Sequence, residues 1–264
     1  IALIKIKKRV PRMSLRNAID LTGRRILLTG ATGGIGAATA RACASLGVER
    51  LILADAGPQE ALDALCQELR DHGVDTVGHQ CDVSRRQDNA DLVAAAGELD
   101  AAVACAGICP LEEDWADDPD WDEVFHRVMD VNLLGPIHLA RELIPRMASW
   151  GGGQIVMIGS IGGRMGGTSP IVQPHYIASK GGVHALIWWL AQRAAPQGVL
   201  VNGIAPGPIA SAMTATTPYP KDQYPLGRIG EPEEIAWPAA FLCSPAATYF
   251  SGSILDVNGG LFVG

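Results

Sequence analysis

Short apolar runs alternate along this chain with stretches of helical periodicity. Arg25 to Thr29 (RILLT) reads as a buried strand, and Gly34 to Leu46 as a helix ended by Gly47. Leu51 to Ala54 is a second strand, Gln59 to Arg70 a helix, and Thr76 to Gln80 a weaker strand. Ser84 to Ala96 reads as a helix capped by Ser84, and Leu99 to Cys105 as a buried strand. One long helix is expected across Trp121 to Met147, complicated by Pro136 and Pro145. The second half repeats the pattern. Strands are expected at Gln154 to Ile158, Val199 to Ile204 and Ser253 to Val257, with helices at Tyr176 to Ala195 and Glu231 to Leu242. Alternation of this kind implies an α/β fold: one doubly wound parallel sheet, helices on both faces, joined by right-handed crossovers.

Composition narrows the function classes. Hydrophobic residues make up 48% and charged residues 19%, which fits a globular chain. A formal net charge of -7 argues against a nucleic-acid partner, because phosphate binding needs a basic face. Six cysteines show no Cys-x-x-Cys pair and no zinc-ligand spacing, which reads as reduced thiols in a cytoplasmic protein without a metal. Cys105 and Cys109 sit four apart, and a redox pair there is weighed below buried free thiols. No apolar run is long enough to span a membrane. Residues 1–19 are read as an N-terminal extension and 20–264 as one domain. Residues 1–12 lack a signal-peptide pattern, and Met13 opens a more ordinary start.

Between the first strand and first helix stands Thr29-Gly30-Ala31-Thr32-Gly33-Gly34-Ile35-Gly36. Glycines let such a turn close and let the backbone approach a pyrophosphate, which the helix N-terminus attracts. A glycine string alone also fits a simple tight turn; its place between strand and helix raises its weight. Asp55 follows the second strand, where an acid accepts hydrogen bonds from the adenosine ribose hydroxyls. It would also repel the extra phosphate of NADP, and Ala56, Gly57 and Pro58 supply no cation beside it. The expected cofactor is therefore NAD.

Tyr176 and Lys180 lie four apart at the start of a helix and share one face. A free tyrosine titrates near 10, and an ammonium within reach lowers that by roughly 1–3 units. Ser160 ends the preceding strand, at the edge where doubly wound sheets bind ligands. Its hydroxyl is positioned to hold a substrate oxygen beside Tyr176.

With these residues together, the chain resembles the short-chain dehydrogenase/reductase family over roughly residues 20–264. The resemblance is carried by TGATGGIG at 29–36, Cys81-Asp82-Val83, Cys105-Ala106-Gly107 and Asn132 in VNLLG. It continues through Ser160, Tyr176, Lys180, Pro206-Gly207-Pro208-Ile209, GRIGEPEE at 227–234 and GSILDVNGG at 252–260. It implies a Rossmann-like domain that moves a hydride between NAD(H) and a carbonyl or secondary alcohol. Tyr176 would be the general acid/base, Lys180 would lower its pKa and bind the nicotinamide ribose, and Ser160 would polarise the carbonyl. Asn132 would hold a water in a proton relay toward Lys180. Gly30, Thr32, Gly33, Gly34, Ile35, Gly36 and Asp55 would hold the cofactor's adenosine and pyrophosphate, and Asp82 and Val83 would flank the adenine. Cys105, Ala106 and Gly107 would line the cofactor, and Pro206, Gly207 and Ile209 would seat the nicotinamide amide. A homotetramer packed through the helix after Tyr176, its neighbour and the last strand is also implied.

Some residues depart from the family. Ala104-Cys105 stands where Asn-Asn is usual, and Ser160 and Tyr176 are about one helical turn further apart than is common. The proline-rich segment Ala210 to Leu226 reads as a short, stiff lid. Ile108, Cys109, Ile161, Met165 and Met213 are expected around the substrate, with Arg164 the sole cation nearby. The substrate expected is a compact, mostly apolar ketone or alcohol. Core packing is an even alternative for any one of these residues. Trp188 and Trp189 read as core or subunit packing, and His175 as facing the loop. An NADPH-dependent 3-oxoacyl carrier-protein reductase is the alternative enzyme, and a catalytically silent dinucleotide-binding scaffold the alternative of another class.

Overall fold

Seven parallel strands form one sheet, each hydrogen-bonded to its neighbours. The computed structural model describes residues 19–111, 115–169, 171–215 and 220–264, so the expectations for residues 1–12 and Met13 lie outside the described residues. The strands are β1 (Arg25–Thr29), β2 (Arg50–Asp55), β3 (Asp75–Gln80), β4 (Ala101–Ala104), β5 (Gly153–Ile158), β6 (Val199–Pro206) and β7 (Ile254–Val257). Their order across the sheet is β3-β2-β1-β4-β5-β6-β7. The chain moves outward from β1 to β3, returns past β1, and moves outward again from β4. The order therefore reverses between β1 and β4, whose ends pair at Thr29 and Ala104. Helices leave in opposite directions there and open a crevice at the carboxyl ends of the strands.

Alternate residues of β1 feed two cores. Ile26 and Leu28 pack with Ala38 and Cys43 of α1 (Gly34–Ser45), Leu62 of α2 (Gln59–Asp71) and Ala236 and Ala239 of α8 (Pro232–Leu242). Leu27 faces the other way, toward Leu92 of α3 (Arg86–Ala96), Leu143 of α5 (Gly135–Trp150) and Ile187 of α7 (Pro174–Ala194). A strand buried on both faces is apolar at successive central positions, which is why Ile26, Leu27 and Leu28 show no alternation.

Two local expectations need correction. Ser84 does not cap α3: its hydroxyl donates to Asp82 Oδ1 at 2.7 Å, and Arg85 is the capping residue. The helix expected across Trp121 to Met147 is not one regular helix. It comprises α4 (Trp121–Met129), a π-helical turn (Asp130–Leu134) and α5. The Gly135 amide donates to Asp130 O, five residues back. Pro136 follows and has no N–H, so the Asn132 carbonyl lacks the donor four residues on. A π-turn at Asn132 fits the general tendency of such bulges to mark functional positions.

Candidate active site

A cavity of about 620 Å³ runs along the carboxyl edge of the sheet. Residues directly after β1 to β6 line it, from Gly30 and Asp55 at one end to Ser160 and Pro206 at the other. One end is built by the glycine turn. Gly30 has φ +67, and a Cβ there would lie 2.6 Å from Ala106 Cα, so only glycine lets β1 turn beside the β4 loop. A Cβ on Gly36 would run into the Gly30 carbonyl oxygen. Gly33 caps α1 without any side-chain bond, leaving the first-turn amides of α1 to face the cavity.

Asp55 closes this end. Its Oδ2 accepts the Thr32 amide and its Oδ1 the Gly57 amide, each at 2.8 Å. A carboxylate has further lone pairs beyond these two, so it still accepts hydroxyl hydrogens. Asp82 is held by Ser84 N–H at 3.0 Å and Arg85 at 3.7 Å. Among the described residues lining the cavity, Lys180 is the one cation. These features fit a dinucleotide: amides for the pyrophosphate, an acid for the ribose, and no charge partner for a ribose phosphate.

At the other end, α7 crosses β5. Lys180 Nζ donates to the Ile158 carbonyl at 2.9 Å and lies 5.8 Å from the centre of the Tyr176 ring. Burial pushes the Lys180 pKa down to about 8, opposed more weakly by the nearby Cys105 and Cys109 thiols. The group is thus mostly an ammonium at neutral pH, in a place where water does little to screen it. Ser160 Oγ accepts the Gly162 amide at 3.1 Å, which leaves the hydroxyl hydrogen for another partner.

Asn132 sits one layer behind. Its Oδ1 accepts Ile108 N–H at 2.8 Å, and its Nδ2 donates to Ile108 O at 2.9 Å and Ser179 Oγ at 3.1 Å. Ser179 in turn donates to the Tyr176 carbonyl at 2.7 Å. Both amide hydrogens are committed to protein, so the side chain ties the β4 loop to α7.

Most expected cofactor and substrate positions line the cavity. Gly30, Thr32, Gly33, Gly34, Ile35, Gly36, Asp55, Asp82, Val83, Cys105, Ala106, Gly107, Tyr176, Lys180, Pro206, Gly207 and Ile209 all do. So do Ser160, Ile108, Cys109 and Met213. Asn132 does not; its neighbour Val131 does. Ile161 and Met165 are corrections. Ile161 is fully buried as the cap of α6 (Gly162–Met165), with its amide bonded to Pro206 O at 3.0 Å. Met165 turns outward and is 43% exposed. Arg164 also turns away, pairing with Asp256 at 3.2 Å and lying over the Phe262 ring. His175 does not face the loop: it is fully buried and stacked on Trp121 at 5.9 Å. Trp188 and Trp189 are about half exposed, so neither packs a core within this chain. Cys105 and Cys109 form no disulfide, and burial pushes Cys105 up to about 12, which removes the thiolate a redox role needs.

Sequence reasoning missed Leu111, Val131, Thr168 and Val172 as lining residues. Thr168 and Val172 lie in the stretch between Ser160 and Tyr176, which has no period from which to read an inward face.

Comparison with known proteins gives the family. The family model described as "Enoyl-(Acyl carrier protein) reductase" matches residues 30–262. A 3-oxoacyl-[acyl-carrier-protein] reductase of Rickettsia felis is 36% identical over 250 residues, covering 93% of this chain and 99% of its own length. Galactitol 2-dehydrogenase (L-tagatose-forming) of Cereibacter sphaeroides is 39% identical over 264 residues, covering 95% of this chain and 100% of its own. A crystal structure of a short-chain type dehydrogenase/reductase from Mycobacterium marinum superposes with a TM-score of 0.87 at 30% identity, covering 95% of this chain and 100% of that one. The structure of a 7α-hydroxysteroid dehydrogenase complexed with NADH and 7-oxo glycochenodeoxycholic acid gives 0.84, also at 30% identity, covering 94% and 98%. The chain belongs to the short-chain dehydrogenase/reductase family. It is an oxidoreductase acting on CH–OH groups.

Proposed function

We propose that this enzyme transfers a hydride between NAD(H) and a compact, mostly apolar ketone or secondary alcohol. The observation that carries this reading is the sharing of one cavity. Asp55 and the glycine turn stand at one end, and Ser160, Tyr176 and Lys180 at the other. The bound nicotinamide would supply or accept the hydride; the chain's residues handle the oxygen and the proton. In the reducing direction, Ser160 Oγ–H donates to the carbonyl oxygen and fixes it beside Tyr176. The Tyr176 hydroxyl gives its proton to that oxygen as negative charge develops there. The phenolate left behind is stabilised by the buried Lys180 ammonium, whose pull is strong because its surroundings are dry. Acid–base help of this kind contributes about 10²–10⁴-fold. Asn132 holds the β4 loop against α7, and any water it contributes to a proton relay falls to its main-chain carbonyl.

Two features support NAD and the substrate class. Asp55 would meet a ribose phosphate as a like charge, and among the described residues lining that end there is no cation to compensate. The substrate end is walled by Ile108, Leu111, Val131, Val172 and Met213, while Arg164 is engaged with Asp256. Among the described residues lining that end, a charged substrate finds no ion partner other than Lys180. The second reading is an NADPH-dependent 3-oxoacyl carrier-protein reductase, whose substrate class is the one in the name of the Rickettsia felis relative. The exposed Trp188 and Trp189 of α7 support assembly into a homotetramer through that helix.

The test is nicotinamide absorbance with NADH and NADPH side by side. The panel holds cyclohexanone, acetophenone, a ketohexose and an acetoacetyl thioester, each with wild type and Tyr176→Phe. Turnover of a compact ketone with NADH, lost in Tyr176→Phe, is expected. NADPH-driven turnover of the thioester overturns the substrate and cofactor reading in favour of the second. Undiminished turnover by Tyr176→Phe overturns the mechanism.

A further inference from the structure

Tyr176, Lys180 and His184 recur every four residues along α7, so one stripe of the helix carries all three. His184 lines no part of the cavity, yet it is buried and reaches the same strand end as Lys180. Its Nε2 accepts the Ser160 amide at 3.4 Å. The amides on either side, Gly159 and Ile161, donate to Ile204 O and Pro206 O of β6, at 2.8 and 3.0 Å. The Ser160 amide points the other way, where β4 has already ended, its last residue Ala104 pairing with Met157. The imidazole takes the place that a strand would fill. A Cβ on Gly159 would run into the ring, so the glycine lets the ring lie against the strand end.

We propose that His184 is a positioning residue for Ser160. It holds the Ser160 peptide in the orientation that presents the hydroxyl to substrate, and does so as a neutral imidazole with Nε2 bare. Lys180 fixes the carbonyl of Ile158 and His184 fixes the amide of Ser160, so one helix face clamps the end of β5 at two points. The charge state follows from the surroundings. Burial, and then the cations Arg164 and Lys180, push His184 down to about 4. The other ring neighbour, Trp188, is uncharged, with centroids 6.4 Å apart. A neutral ring has one acceptor nitrogen, and the Ser160 N–H assigns it to Nε2, leaving the proton on Nδ1.

The inference rests on the proposed role of Ser160, and its test separates the two. Reduction of cyclohexanone with NADH is compared in wild type, Ser160→Ala, His184→Met, His184→Gln and the Ser160→Ala/His184→Met double variant. Met fills the space without the acceptor, whereas Gln returns an oxygen at about the position of Nε2. His184→Met is expected to lower kcat about tenfold with little change in the Kd for NADH, and His184→Gln to recover most of it. In the Ser160→Ala background the Met change is expected to cost nothing further, because its route has already been removed. Full turnover by Ser160→Ala overturns the role of the serine itself. Loss by Ser160→Ala with none by His184→Met, equal loss by Gln and Met, or an undiminished Met effect in the double background, each overturns the positioning role alone. Nitrogen-15 NMR of His184 in the wild-type protein needs no substrate and no foldable variant. A ring protonated at Nδ1 and bare at Nε2 at neutral pH is expected. A proton on Nε2 overturns the proposal.

Discussion

Lys180→Met separates the catalytic value of a buried charge from its effect on stability. Burial pushes Lys180 down from 10.5 to about 8 in the folded chain. The unfolded chain keeps its lysine proton until about 10.4. Below the folded value both states are protonated, and the penalty for burying the ammonium, about 3 kcal/mol, is present in full. Between the two values the unfolded chain binds a proton that the folded chain has released. Wild-type stability therefore rises there by about 1.4 kcal/mol per pH unit. Above the unfolded value the penalty is gone. Methionine has no proton to lose, and other titrating groups are common to both proteins. Raising the pH from about 7 to about 9.5 should therefore favour wild type over Lys180→Met by about 2 kcal/mol. The assay is urea unfolding of both proteins at equal concentration and at the two pH values. Curves that move in parallel, or a wild type that loses ground, refute the reasoning. At about pH 7, where wild-type Lys180 carries its charge, the variant's turnover should fall about 10²-fold or more, since the phenolate loses its nearby cation.

Other substitutions probe the cofactor end and the frame behind the site. Asp55→Asn removes the charge while keeping one acceptor for the Thr32 or Gly57 amide. The ratio of kcat/KM for NADH over NADPH should fall about 10–100-fold, or about 1.4–2.7 kcal/mol, and an unchanged ratio counts against the role given to the acid. Gly36→Ala drives a methyl into the Gly30 carbonyl. Fluorescence titration should show NADH binding weakened about tenfold or more, and wild-type affinity would show that the turn relaxes freely. Asn132→Ala cuts the bonds to both Ile108 backbone groups and to Ser179. The loss leaves buried polar groups unmatched and should destabilise the protein by about 2–4 kcal/mol in urea unfolding; a change under about 0.5 kcal/mol would contradict the framing role.

The elements most legible in the sequence are those whose pattern has a local cause. RILLT and LILAD are apolar at successive positions because both faces of a parallel sheet are covered. The glycine turn is legible for a similar reason: Gly30 and Gly36 stand where backbone passes backbone, so no other residue fits. The break in the long helix is not legible in the sequence because a π-turn has no periodic signature of its own. Pro136 in the sequence marks the place, but only the Gly135 to Asp130 bond shows how the helix continues through it.

Side-chain direction in irregular segments was decided by tertiary contact. Ile161 and Met165 are apolar and near Ser160 in sequence, which made both plausible walls of the pocket. A four-residue helix turns the first into the core and the second outward, and neither choice is encoded by a period. His175 and His184 show the same limit from the other side. Both are histidines on α7; one is buried on Trp121 and the other against the Ser160 amide. The sequence by itself determined the element order, the chemistry available at the strand ends and the stripe of Tyr176 and Lys180, because spacing along a helix or strand sets which residues share a face. Only the tertiary structure decided which groups beyond that stripe meet the site. Those meetings, Asn132 with Ile108 and His184 with Ser160, join residues about 24 positions apart, and the packing of α5 and α7 against the sheet sets them.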